Sequence, residues 1–258
     1  MIGAILGDII GSTYEFACMK NYNFKLLPDG SNYTDDSVLT IAIANAILSG
    51  TGYGESLKAW ALNYPNPKGS YGGGFLHWIR STDSQPYNSF GNGSAMRVSS
   101  VGWLFDVEEE VLCQAKQSAE CTHNHPEGIK GAQATAIAVY FARKGKNKQF
   151  IQNYIEEHFG YNLHRSVEVI RRNYFFDETC QGTVPEAITC FLNSDSYEDA
   201  VRKAVSLGGD SDTIGAITGG IAEAFHGVPK RLQTKALSYL PEEMSNVIKS
   251  FNNRVSHD

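Results

Sequence analysis

Apolar and small residues recur at three- and four-residue intervals through much of the chain. Val38, Leu39, Ile41, Ala42, Ala44, Ile47 and Leu48 follow this spacing, as do Ala132, Ala134, Ala136, Ile137, Val139, Tyr140 and Phe141. A period near 3.6 marks a helix that buries one face. No segment shows a comparable period-two alternation, so strands are not expected. Helix starts are signalled too: Asp106 with Glu109, Thr183 with Glu186 and Ser196 with Asp199 have the spacing of a capping box, in which a side-chain oxygen takes up a free N–H of the first turn. The pattern predicts an all-α protein of about a dozen helices.

The segment Met1 to Glu15 carries Gly3, Gly7 and Gly11 at four-residue spacing, a bare ridge that lets another helix backbone approach closely. A helix through Glu15 puts Asp8 and Glu15 on one face, roughly 10 Å apart along the axis. Glu15 taken alone reads as a solvated residue at a helix end. Three loops are glycine-rich: Gly69 to Gly74, Gly91-Asn92-Gly93, and Gly208-Gly209. The second runs into Ala95-Met96-Arg97-Val98, so its amides are placed to face a phosphate. Neither a P-loop Gly-Lys-Ser/Thr nor a GxGxxG after a strand occurs, which argues against the common nucleotide-binding folds.

With 258 residues and no break in composition, one domain spanning residues 1–258 and a single core are expected. A formal net charge of -6 argues against general nucleic-acid binding, which draws on clustered Lys and Arg. The five cysteines are odd in number and lack CxxC spacing, so reduced thiols are expected, with Cys113, Cys180 and Cys190 in the core. No apolar run approaches the roughly 20 residues of a membrane span, and the N-terminal segment lacks a signal-peptide pattern. A cytoplasmic monomer without membrane attachment follows as the expectation.

Two acidic clusters carry the chemistry. Thr34-Asp35-Asp36 precedes a strong apolar helix, and by itself reads as an N-cap with acidic first-turn residues. Asp210-Ser211-Asp212-Thr213 repeats the arrangement before Ile214 to Ala222. Four carboxylates and two threonine hydroxyls form an all-oxygen donor set that selects Mg²⁺, Mn²⁺ or Ca²⁺ over Zn²⁺. An EF-hand beginning at Asp210 fails, because its twelfth position is Ile221. The Asp210-x-Asp212 pair is similar to the aspartyl-nucleophile motif of haloacid-dehalogenase-like phosphatases, but that motif follows a strand, whereas Tyr197 to Val205 reads as a helix. The loop Thr122-His123-Asn124-His125-Pro126 lacks the second ligand pair that zinc requires, and no GxSxG elbow supports a serine nucleophile.

Taken in order, Gly3-Ala4-Ile5-Leu6-Gly7-Asp8 leading to Glu15, Tyr33-Thr34-Asp35-Asp36-Ser37, Ser89 to Arg97, Thr122 to Pro126 and Gly208 to Thr213 resemble the motifs of the ADP-ribosylglycohydrolase family over nearly the whole chain. The resemblance implies an all-α single-domain fold. It implies a binuclear Mg²⁺ or Mn²⁺ site ligated by Thr34, Asp35, Asp36, Asp210, Asp212 and Thr213, with Glu15 approaching metals and substrate. Gly72, Gly73 and Gly74, together with Ser89, Phe90, Gly91, Asn92 and Gly93, would hold pyrophosphate and ribose, and His123 would line the same cleft. The implied reaction is cleavage at the anomeric carbon of an ADP-ribosyl group, with Glu15 or Asp36 handling the proton. Arginine-linked ADP-ribose is the default substrate; another ADP-ribose or small-molecule adduct, or binding without turnover, stands as the alternative. Phe75, Trp78, Tyr87 and Phe90 are candidates for the rim that selects the acceptor.

Overall fold

In the computed structural model, which describes residues 1–83 and 85–257, two helices meet backbone to backbone and the other elements assemble around them. Helix α1 (Ile2–Gly11) is buried at every position. It lies along α13 (Ser211–His226) through the glycine ridge. A Cβ added at Gly7 would stand 2.0 Å from the Gly215 carbonyl oxygen, and one at Gly215 would stand 2.6 Å from that of Gly7. The same holds one turn on, where a Cβ at Gly219 would come within 2.3 Å of the Gly3 oxygen. Only hydrogen fits between these two backbones.

The remaining helices fill in around this pair: α2 (Asp35–Ser49), α3 (Tyr53–Asn63), α4 (Gly73–Arg80), α5 (Gly93–Met96), α6 (Ser99–Leu104), α7 (Glu108–Glu120), α8 (Pro126–Arg143), α9 (Lys148–Phe159), α10 (Val167–Asn173), α11 (Cys180–Leu192), α12 (Tyr197–Val205), α14 (Lys230–Leu237) and α15 (Glu242–His257). Helix α8 packs against α5, α6, α7, α11 and α13, and one hydrophobic core joins them. No strand is present among the described residues; two isolated bridges pair Thr34 with Lys68 and Gly91 with Thr179. The all-α expectation holds. Ser84 and Asp258, inside the expected 1–258 domain, lie outside the described residues.

Several local expectations are corrected. Helix α1 stops at Gly11 and Glu15 follows in a run of turns, so Asp8 and Glu15 share no helical face. The Ser196 cap forms, its hydroxyl accepting from the Asp199 amide at 3.1 Å. Asp106, in contrast, accepts from Arg143 and Lys144 at 3.0 and 2.7 Å, and Val107 precedes α7 without a side-chain cap. Thr183 lies inside α11, which is capped by Thr179 one turn earlier. Cys180 and Cys190 are buried, but Cys113 is exposed; all five cysteines are free thiols. Among the described residues no helix is long and apolar enough to cross a membrane.

The glycine contact makes a direct prediction. Gly7→Ala is expected to lower stability to urea by about 3 kcal/mol, the cost of overpacking against immovable backbone. Gly73→Ala, where an added methyl meets nothing within 4 Å, is expected to change it by no more than about 1 kcal/mol.

Candidate active site

Asp8 organises the first acidic cluster. Its buried carboxylate accepts from the Thr34 amide (3.0 Å), the Thr34 hydroxyl (2.8 Å), the Ser37 amide (3.1 Å) and the Ser37 hydroxyl. These bonds fix the first turn of α2 against α1. Thr34 caps α2 by accepting from the Asp36 amide at 3.1 Å, so its hydroxyl is engaged on both sides. Asp35 and Asp36, one position further on, line a cleft of about 440 Å³.

The second cluster enters the same cleft from α13. Gly208 and Gly209 adopt φ values of 71° and 86°, a left-handed pair that turns the chain sharply into the helix. Asp210, Asp212 and Thr213 follow, each nearly buried. Glu15 reaches them from the turn after α1, and one oxygen each of Glu15, Asp210 and Asp212 lie within 4.8 Å of one another. The Thr213 hydroxyl is 3.4 Å from Asp36 Oδ2, which ties the two clusters together. Oδ1 of Asp36 and Oδ1 of Asp212 are buried without any hydrogen-bond partner.

The glycine loops form the outer walls. Gly72, Gly73 and Gly74 line the cleft at the start of α4. Ser89, Gly91 and Gly93 line the same cleft with His123. Phe90 does not; it is exposed and packs edge-on against His125 at 5.3 Å. Of the other rim aromatics, Phe75 and Trp78 are buried against each other at 5.5 Å, while Phe75 and Tyr87 also border the cleft.

Asn92 differs from its neighbours. Its amide nitrogen donates to Asp210 Oδ2 at 2.6 Å and to the Thr183 hydroxyl at 3.1 Å, so it holds a carboxylate in place from behind. Two further residues were not singled out from the sequence. Lys68 donates to the Gly30 carbonyl (2.8 Å) and lies near Ser12 and Thr13; its charge faces Asp212, Asp8 and Glu15. Its only signal was being the single cation beside the Gly69 loop. Glu178 lines the cleft from the segment before α11, and its carbonyl accepts from the Asn92 amide at 2.7 Å; nothing in its local sequence marks it.

A family model of ADP-ribosylglycohydrolases matches residues 1–257. The chain belongs to the ADP-ribosylglycohydrolase family. The human ADP-ribosylhydrolase ARH3 is 26% identical, covering 93% of this chain and 88% of its own. The Rhodospirillum rubrum ADP-ribosyl-[dinitrogen reductase] glycohydrolase is 23% identical, covering 88% and 84%. Among solved structures, an ADP-ribosylglycohydrolase-related protein complex superposes with a TM-score of 0.70 over 98% of this chain and 97% of that one, at 22% identity, which shows the shared fold. Membership makes the chain a glycosyl-hydrolase-type enzyme.

Crowded carboxyls set the electrostatics of this cleft. Burial, reinforced by neighbouring carboxylates, pushes Asp35, Asp36 and Asp210 well above the usual carboxylate range. Burial first and the Glu15 charge second raise Asp212 to about 8, and burial with Asp210 raises Glu15 to about 7. So many crowded carboxylates cannot all ionise without cations. The donors that remain free, all oxygen, fit a hard divalent ion.

A stability measurement checks the crowding. Carboxyls whose folded-state pKa exceeds the unfolded value hold extra protons when folded, so stability falls as pH rises between the two values. In the presence of a chelator, the thermal midpoint is expected to drop from about pH 5 to about pH 8, the interval spanned by Glu15 and Asp212. Asp212→Asn should flatten that decline. A midpoint that climbs over this interval would contradict the crowding.

Proposed function

We propose that this cleft hydrolyses the bond between the anomeric carbon of ADP-ribose and a modified acceptor, with two divalent cations, Mg²⁺ or Mn²⁺, as cofactors. The convergence of Glu15, Asp210 and Asp212 beside the unpartnered oxygens of Asp36 and Asp212 is the observation that supports it most. Asp35, Asp36, Asp210, Asp212 and Thr213 would hold the cations, with Thr34 at the edge of the set. Bound there, the cations supply charge neutralisation and Lewis acidity toward ribose and water oxygens.

The chain's own residues do the rest. Asn92 keeps Asp210 oriented, and Asp8 keeps the first turn of α2 in register with it. Glu15 is half-buried on the open side of the cluster and titrates at about 7, so its carboxyl can take or give a proton near neutral pH. Asp36, deeper and tied to Thr213, is the less mobile of the two candidate carboxyls. Gly72 and Gly73 leave open space for the diphosphate, since a Cβ added at either would meet nothing within 4 Å, whereas one at Gly74 would stand 3.0 Å from the Tyr87 ring.

Arginine is the acceptor favoured by the rim. Phe16 is exposed and stacks on Phe176 at 5.8 Å, next to Glu15 and near Glu178, which also faces the cleft. An aromatic face beside a carboxylate suits a planar guanidinium. The Rhodospirillum relative carries dinitrogen reductase in its name, whereas the human relative's name specifies no acceptor.

Arginine-, serine- and nucleobase-linked ADP-ribose, each incubated with Mg²⁺, Mn²⁺ or EDTA, test the reading. Free ADP-ribose should appear with either cation and not with EDTA; no release from any acceptor would refute it. Glu15→Gln is expected to lower kcat by about 100-fold or more with ADP-ribose affinity little changed. Asp35→Asn and Asp212→Asn should lose Mn²⁺ binding in calorimetry. If both bind Mn²⁺ like the wild type, the clusters are helix caps alone.

A further inference from the structure

Arg97 is the largest side chain with no exposed surface, and among the described residues it has no carboxylate partner. A guanidinium has donors only and stays charged. Its Nη2 donates to the Ser118 carbonyl at 3.1 Å and to the Thr122 hydroxyl at 2.7 Å. That hydroxyl also lies 2.7 Å from Nδ1 of His123. Once Thr122 accepts from Arg97, its single proton has to go elsewhere. The nearby Cys121 sulfur is a weak acceptor that already faces Arg97 Nη2 at 3.9 Å, so Nδ1, at 2.7 Å, is the stronger acceptor within reach.

We infer that Arg97, acting through the Thr122 hydroxyl, holds His123 in the neutral tautomer with its proton on Nε2, making it a fixed hydrogen-bond donor to an acceptor oxygen of the bound nucleotide. The inference rests on the reading of the cleft as an ADP-ribose site. Burial, with the Arg97 charge second, keeps the imidazole well below its usual pKa, consistent with a neutral ring at pH 7. Nε2 has no hydrogen-bond partner among the described residues. It lies beside the Gly91 to Gly93 turn, where a Cβ at Gly93 would stand 3.2 Å from it and one at Gly91 3.5 Å. Glycine at both positions leaves the Nε2–H uncovered, and all three residues line the cleft. Arg97 and Thr122 are thus positioning residues, and His123 is the contact.

Two measurements decide it. Nitrogen-15 correlation across the His123 ring of the wild-type protein without ligand, at pH 7, should show a protonated Nε2 and an unprotonated Nδ1. An Nδ1–H tautomer or an imidazolium would overturn the inference. Thr122→Val removes the hydroxyl at nearly constant volume, and Thr122→Ser restores it. The valine variant should bind ADP-ribose about tenfold more weakly, with Mn²⁺ affinity unchanged, while the serine variant stays within about twofold of wild type. Equal ADP-ribose binding by the two variants would overturn it as well. Should the valine variant not fold, the ring spectra of wild type and Thr122→Ser carry the decision. A wild-type spectrum with Nε2–H but no binding of ADP-ribose would refute the substrate reading while leaving the tautomer assignment intact.

Discussion

The contact between α1 and α13 sets the distances on which the site depends. Two helices normally pack with side chains between them, at interaxial distances of roughly 8–10 Å. Here Gly3 and Gly7 meet Gly215 and Gly219 with main-chain oxygens against Cα atoms, and the approach is correspondingly tighter. Both acidic clusters are referenced to this pair. Asp210 and Asp212 sit at the entrance of α13, and Asp8 on α1 grips the entrance of α2 through Thr34 and Ser37. Glu15 emerges from the end of α1 a few residues beyond the last glycine contact. A chain without that bare ridge would hold the carboxylates further apart.

The same closeness carries a thermodynamic penalty. Carboxylates drawn together in a site of low polarity raise one another's pKa, and Lys68 is the cation set nearest to offset them. The fold tolerates this because α1 and α13 are buried along their apolar lengths, and the hydrophobic core is continuous on both sides of the cluster. Packing remote from the chemistry holds in place an arrangement that electrostatics alone would push apart.

Much of this could be read from the chain itself, for identifiable reasons. Helical periodicity and the four-residue glycine spacing are local properties, and both survived folding. Thr34-Asp35-Asp36 and Asp210 to Thr213 were recognisable because each combines a helix entrance with an excess of acid. What was missed depended on competing partners, some of them distant in sequence. Asp106 had capping-box spacing, but Arg143 and Lys144 compete for its carboxylate. Thr183 had it too, yet Thr179 starts the helix a turn earlier and leaves Thr183 to donate to the Asp177 carbonyl at 2.9 Å. Asn92 sat in a glycine loop that pointed to a ligand, and only tertiary structure turns its amide toward Asp210. Glu178 gave no local sign, Lys68 only its place beside the Gly69 loop, and Arg97 only its place at the end of the Ser89 motif, with nothing to mark its charge as buried.

The turn through residues 89–93 is not an independent loop. The Asn92 amide donates to the Glu178 carbonyl and the Cys180 amide donates to the Phe90 carbonyl, at 2.7 and 2.9 Å, so this turn and the segment entering α11 form a small two-stranded clasp. One side of the clasp carries the wall beside His123; the other carries Glu178, which lines the cleft, and Phe176, which stacks on Phe16. Anyone wishing to transplant acceptor preference between relatives should therefore move both segments together. Exchanging one alone would leave its carbonyls and amides facing a mismatched partner, and would drag Asp210 with Asn92.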